Sequence, residues 1–389
     1  MSKVMRALGL MSGTSMDGID VALIQTDGDK IVSRGPSMTF PYLPETRARL
    51  AAGLIEAREI VDRAERPGSL AALEAEITEL HAAAVNAFRR KQGIGRADID
   101  VVGFHGHTVL HRAPTVVIET GPDGVPFEVT MPGLTVQLGS GVGLSDLTAL
   151  DVVHDLRAAD VEAGGHGAPL VPVYHLAVAA HLPQRPVAFV NIGGVANVTV
   201  VDREGSITAF DCGPGNALID DWMLKHKGMA LDADGATAAA GRVDEDVLRG
   251  LLSHRFFSSL PPKSLDRGAF DAGSLSALSV ADGAATLTAF TAAAIARARE
   301  HMHEEPELWV VAGGGRRNAT LMGMIASRVQ NAVVPAEAAG LSGDGLEAEA
   351  WAYLAVRSLK GLPISFPGTT GVLAPMTGGV LTRAPRGAV

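Results

Sequence analysis

At 389 residues with 47% hydrophobic content, the chain can bury a sizeable core and is longer than one core usually organises, so two domains are expected. Its 33 basic residues stand against 43 acidic ones, a net charge of −10 with no basic block, which argues against a nucleic-acid partner. The single cysteine, Cys212, excludes an internal disulfide or a cysteine metal cluster and fits a reducing compartment. The apolar stretch Ala7 to Leu10 is too short for a secretory leader, and no run approaches the ~18 apolar residues that span a bilayer. A cytoplasmic protein without a membrane partner is the expectation.

Residues 5–11, 18–26 and 31–40, punctuated by Asp27-Gly28-Asp29, predict a three-stranded antiparallel meander. Leu70, Leu73, Ile77, Leu80, Ala84 and Phe88 recur at helical spacing between Ser69, a candidate N-cap, and Gly93, a stop signal. A β run, Val101 to Phe104, leads into His105-Gly106-His107-Thr108, and another, Val152-Val153, into Asp155 to Arg157. From Pro186 the opening repeats: a strand into Gly193-Gly194, a second over 195–201, a turn at Arg203-Glu204-Gly205, and a third ending at Asp211. Residues 5–40 and 186–211 therefore read as two copies of one unit, each followed by helices. The expected architecture is α/β, with lobes over residues 1–150 and 151–389, a cleft between them, and a return helix near 344–360 at their interface.

The turn Gly13-Thr14-Ser15-Met16-Asp17-Gly18-Ile19-Asp20 departs from the Walker pattern, because Ile19 and Asp20 follow its second glycine where lysine and a hydroxyl residue are needed. Its backbone N–H groups and hydroxyls can still cradle phosphate, and Asp17 can hold magnesium through water, although the same residues also make an ordinary hairpin turn. Gly193, Gly194 and Asn197, then Asp211, Gly213, Gly215 and Asn216, offer the same ingredients in the second copy. Asn216 can also cap the helix that follows it. The buried-strand pattern Leu308 to Ala312 runs into Gly313, Gly314 and Asn318, a strand–glycine–helix turn that lets a nucleotide approach the backbone.

Between the copies lies the polar cluster His154 to Ala168. Its Asp155, Asp160 and Glu162 are each eligible as a base, within a glycine loop that admits substrate. His105 and His107 suit sugar hydroxyls or strand-end backbone groups equally. Asp344 and Glu347 are spaced as a capping box at the start of the last long helix.

Taken in order, GLMSGTSMDGID (9–20), FHGHTVLHRAP (104–114), DLRAADVEAGGHGAPLVP (155–172), NIGGVANVTV (191–200), FDCGPGNALIDDW (210–222) and GGGRRN (313–318) resemble the anhydro-N-acetylmuramic acid kinases over nearly the whole chain. The resemblance implies a duplicated, two-lobed actin/hexokinase/Hsp70-like fold. It implies a reaction of ATP, with Mg²⁺, and an amino sugar in which the anhydro ring is opened by water and O6 is phosphorylated, as part of murein recycling. It matches Gly13 to Asp20 to the ATP-phosphate loop, Asp160 to the catalytic base and Glu347 to a helical carboxylate at the substrate. Arg157, beside the base in the same motif, is grouped with His105, His107 and Glu347 as substrate-binding. His107 and His166 stand where the family has glutamine, and Leu150 where it has glycine. An ordinary hydroxyl-directed sugar kinase is one rival. A non-catalytic nucleotide sensor is another, but beyond a Pro/Gly-rich tail from Pro363 nothing is left over for a partner-binding domain. A homodimer is compatible with all of this.

Overall fold

The computed structural model describes residues 3–13, 15–120, 125–266, 268–270 and 273–385. It divides into two units, one of residues 1–177 with 345–389, the other of residues 178–344. The division therefore falls at 177/178 rather than near 150, and the last segment of the chain belongs to the first unit. The reason is packing: the return helix Leu346–Leu359 lies against the strands of the first unit.

In the first unit the predicted meander forms as β1 (Met5–Ser12), β2 (Gly18–Thr26) and β3 (Val32–Pro41). Then come β4 (Val101–Arg112), a separate hairpin of β5 (Thr115–Thr120) and β6 (Pro126–Met131), β7 (Leu134–Leu138) and β8 (Val152–His154). The sheet order is β3-β2-β1-β4-β8, with β7 paired to β4 and the short strand Val380–Thr382 on the edge beyond β8. Side chains alternate along β1. Leu8 and Leu10 enter a core with Leu73, Ile77, Val85 and Phe88 of the helix Leu70–Gln92, while Gly9 faces the helix Leu346–Leu359. Coverage on both faces explains why β1 reads as an almost unbroken apolar run. A Cβ on Gly9 would lie 1.7 Å from the Ala348 carbonyl oxygen, and one on Gly103 in β4 2.0 Å from that of Trp351. Glycine at both places lets the helix settle directly on the backbone.

The second unit contains β9 (Val187–Ile192), β10 (Val195–Val201), β11 (Ile207–Pro214), β12 (Leu308–Ala312) and β13 (Ala332–Pro335), in the order β11-β10-β9-β12-β13. In each unit the first three strands pair antiparallel, and two later strands, β4 and β8 in the first and β12 and β13 in the second, extend the sheet in parallel. The same five-strand topology thus occurs twice, and the duplicated α/β fold expected from the sequence is present. The helix Val280–Arg297 buries every residue from Gly283 to Ala296, consistent with its all-round apolar, alanine-rich sequence. Among the described residues no helix is long and apolar enough to cross a membrane.

Candidate active site

After β8 the chain turns at Asp155, whose φ of +55° is left-handed, and enters the short helix Ala158–Glu162. The turn buries Asp160, which is 2% exposed. The Gly167 N–H donates to its Oδ2 at 2.6 Å, and the Thr370 hydroxyl donates to its Oδ1, also at 2.6 Å. A Cβ on Gly165 would sit 2.3 Å from Oδ2, so the glycine loop closes directly over the carboxylate. Hydrogen bonds to an ionised acceptor are among the strong ones, and two of them fix the carboxylate plane. The other two eligible acids are committed elsewhere: Asp155 pairs with Arg63, and Glu162, largely exposed, lies 3.7 Å from the same guanidinium.

Arg157 knits this loop to its neighbours. Its Nε donates to His105 Nε2 at 3.1 Å and its Nη1 to the Gly167 carbonyl at 2.7 Å, which makes His105 Nε2 the unprotonated nitrogen. The guanidinium lies 5.0 Å from the Trp351 ring, and the His105 ring stacks 4.4 Å from the same indole. Burial pulls the Arg157 pKa down to about 10, opposed by the negative charges of Glu347 and Asp160. Burial pushes Glu347 upward; Arg157 opposes that shift and Asp17 reinforces it. Burial holds His105 well below its usual value and His107 at about 4.

The expected capping box does not form. Gly345 is the N-cap, so Glu347 occupies the second helical position, and Asp344 instead pairs with Arg316 and Arg317 at 3.0 and 2.7 Å. His107 is fully buried and its Nδ1 lies 2.8 Å from Ser12 Oγ. A cavity of about 180 Å³ lies beside His105 and Asp155, lined also by Arg63, Arg66, Gln137 and His154.

Of the expected loop Gly13 to Asp20, only residues up to Asp17 form the turn, and Thr14 lies outside the described residues. Gly18, Ile19 and Asp20 belong to β2: Ile19 enters the core, and Asp20 accepts a hydrogen bond from Thr39 across the strand pair. Met16 is left-handed, with φ +54°, and Ser15 Oγ donates to Asp17 Oδ1 at 2.7 Å. Ser15 and Asp17 are exposed.

In the second unit three glycine turns converge. The Gly215 N–H donates to the Gly194 carbonyl at 2.9 Å and the Asn216 N–H to that of Gly193 at 2.7 Å, while Asn216 Nδ2 reaches the Ile192 carbonyl. Asn216 begins the helix Ala217–Lys227 without capping it through its side chain. Gly313 is left-handed at φ +74°, and a Cβ there would lie 2.4 Å from Asn191 Oδ1. Around Gly193, Gly194 and Gly314 a Cβ would meet nothing closer than 3.6 Å, so a ligand can approach these backbones. The remaining candidates have other partners. Gly213 packs against Ala294, Asn318 caps the helix Ala319–Val329 through the Leu321 N–H, and Asn197 pairs within the sheet. Asp211 accepts the Leu265 N–H at 2.7 Å, and burial raises its pKa to about 7.

Thr370 and Trp351 were not among the sequence candidates. Trp351 had a signal, since it lies one helical turn after Glu347 on the same face; Thr370 had none.

The family model of anhydro-N-acetylmuramic acid kinase matches residues 5–384. The chain is 49% identical over 389 residues to the anhydro-N-acetylmuramic acid kinase of Brucella canis, with 98% of this chain and 100% of that one covered. It is 50% identical to the same-named protein of Methylobacterium nodulans, covering 97% and 100%. Among solved structures, a ligand-bound xylulose kinase from Lactobacillus acidophilus is similar with a TM-score of 0.44 and 10% identity, over 92% of this chain and 90% of that one.

Proposed function

Because the chain belongs to the anhydro-N-acetylmuramic acid kinase family, we propose that it uses ATP and water to open the ring of 1,6-anhydro-N-acetylmuramic acid and phosphorylate O6. The product is N-acetylmuramic acid 6-phosphate, and the setting is cytoplasmic recycling of cell-wall sugar. The observation that carries this reading is the Asp160 carboxylate, buried and held by the Gly167 N–H and Thr370 hydroxyl at 2.6 Å each.

An anhydro sugar has no free 6-hydroxyl, because O6 is tied to C1. Water must therefore attack C1, as in an inverting glycosidase. Asp160 takes the proton from that water, the C1–O6 bond breaks, and the departing O6 takes the γ-phosphoryl group as its bond to the β–γ bridging oxygen of ATP breaks and ADP leaves, where a glycosidase would supply a proton. Arg157, bonded to the Gly167 carbonyl, stiffens the loop whose N–H holds the base, and with His105 and Glu347 it borders the sugar. The β1–β2 turn and the open glycine backbone at Gly193, Gly194 and Gly314 are suited to phosphates, because a ligand can approach them closely.

No group of three or more metal-ligating side chains occurs among the described residues, so a dedicated protein cage for a metal is not present there. That fits magnesium, which is commonly held by one or two carboxylates together with phosphate oxygens and water, and the exposed Asp17 would supply the carboxylate. When bound, the ion neutralises charge on the phosphates.

Oxygen tracing tests the reading. A reaction in ¹⁸O-labelled water, stopped early, is expected to label the anomeric carbon and leave the phosphate ester unlabelled, with a single anomer released first. Product without the anomeric label, or equally fast phosphorylation of ordinary N-acetylmuramic acid, would instead indicate a hydroxyl-directed sugar kinase.

A further inference from the structure

Tyr42 directly follows β3 and touches both ends of the β1–β2 turn. Its backbone N–H donates to the Asp17 carbonyl at 3.0 Å, where the turn ends. Its phenolic oxygen lies 2.8 Å from Ser12 Oγ, where the turn begins. Ser12 is held from its other side by His107 Nδ1, also at 2.8 Å, and Ser12 and His107 face each other as a register pair between β1 and β4. Tyr42, Ser12 and His107 are 7%, 1% and 0% exposed.

We infer that Tyr42, Ser12 and His107 form a clamp that sets the span of the β1–β2 turn and so positions it for the nucleotide's phosphates. The inference rests on the reading of that turn as the phosphate loop. It gives His107 a different task from the sugar contact expected of it: a side chain with no exposed surface, bonded to the last residue of β1, is a positioning residue. Burial pushes His107 down to about 4 and Tyr42 above the usual phenol range, so both stay neutral around pH 7. Each of the three groups can then donate or accept along the two links, while the far nitrogen of His107, Nε2, is buried without a hydrogen-bond partner. Hydrogen-bonded networks without solvent contact rigidify what they join, and a turn held at both ends loses less freedom when it binds.

The test compares Ser12→Ala, Tyr42→Phe, His107→Leu, His107→Asn and Asp17→Ala by KM for ATP, KM for the sugar, kcat and Tm. Loss of a clamp bond is expected to raise KM for ATP by roughly 5–20-fold while KM for the sugar stays within about twofold. His107→Asn, whose amide nitrogen stands near the place of Nδ1, should recover most of what His107→Leu loses. Ser12→Ala combined with Tyr42→Phe should be no worse than Ser12→Ala alone, because both cut the same link. If Asp17→Ala raises KM for ATP but Ser12→Ala and Tyr42→Phe lower only Tm, the phosphate-loop reading survives and the clamp is overturned. If Asp17→Ala also leaves KM for ATP unchanged, the reading of the turn fails and the clamp falls with it.

Discussion

Asp160 is oriented by two donors from distant parts of the sequence, Gly167 seven residues on and Thr370 in the C-terminal segment. Replacing Asp160 by Asn preserves shape and removes the base. It is expected to lower kcat by roughly 10²–10⁴-fold with nucleotide affinity retained, as read by steady-state kinetics and calorimetry. Near-normal turnover would move the base to Asp155 or Glu162, which the structure commits to Arg63. Thr370→Val keeps the side-chain outline and deletes the donor. Hydrogen bonds to charged groups contribute about 1.5–3 kcal/mol, so kcat should fall by roughly 10–100-fold and Thr370→Ser should restore most of it. The local motif around Asp160 was legible because its glycines and acids are neighbours in the chain. Thr370 was not, because it lies in a short segment without periodicity, and only the folded backbone brings it to the carboxylate.

The helix Leu346–Leu359 rests on two glycines, and its closeness is the best measure of how tightly the first unit is built. Gly103→Ala would drive a methyl into the Trp351 carbonyl and is expected to cost about 3 kcal/mol or more, seen as a lower urea midpoint. Gly250→Ala is the contrasting case. That glycine sits in the helix Glu245–Leu252 with nothing within 4 Å of its Cβ position, so alanine should be neutral or stabilise by up to about 1 kcal/mol. Elements with a strong local period were legible: both meanders formed close to the predicted residues, and the helix Leu70–Gln92 ends at a left-handed Gly93. Helix starts were less so. Ser69 and Asn216 precede helices without capping them through their side chains, because Glu56 and the Ile192 carbonyl engage those side chains instead. Tertiary partners outcompeted the local cap at both sites.

At the scale of the molecule, the two units hold buried titratable groups of opposite effect. His81, His107 and His175, all in the first unit, are 6% exposed or less, and burial lowers them to about 4, 4 and 3. A histidine depressed in the folded state is protonated first in the unfolded one. Its stability contribution is thus complete above about pH 6.5 and lost as pH falls toward 4, at about 1.4 kcal/mol per pH unit for each group. Asp211, in the second unit, is raised to about 7, so its contribution is complete below about pH 4 and lost as pH rises through 7. Acidification from pH 6.5 to 4.5 is therefore expected to lower the melting of the first unit, followed by Trp351 fluorescence, more than that of the second, followed by Trp222 and Trp309. Identical slopes for the two probes would contradict this. The division at 177/178 was not legible because a unit built from both ends of a chain has no local mark where it is interrupted. That interruption has a consequence during synthesis. Residues 178–344 can leave the ribosome as a finished unit while β1 and β4 still wait for the helix that covers Gly9 and Gly103. A ribosome paused after residue 344 has emerged but before Thr370 has done so thus displays a complete second unit and a first unit whose Asp160 lacks one of its two donors.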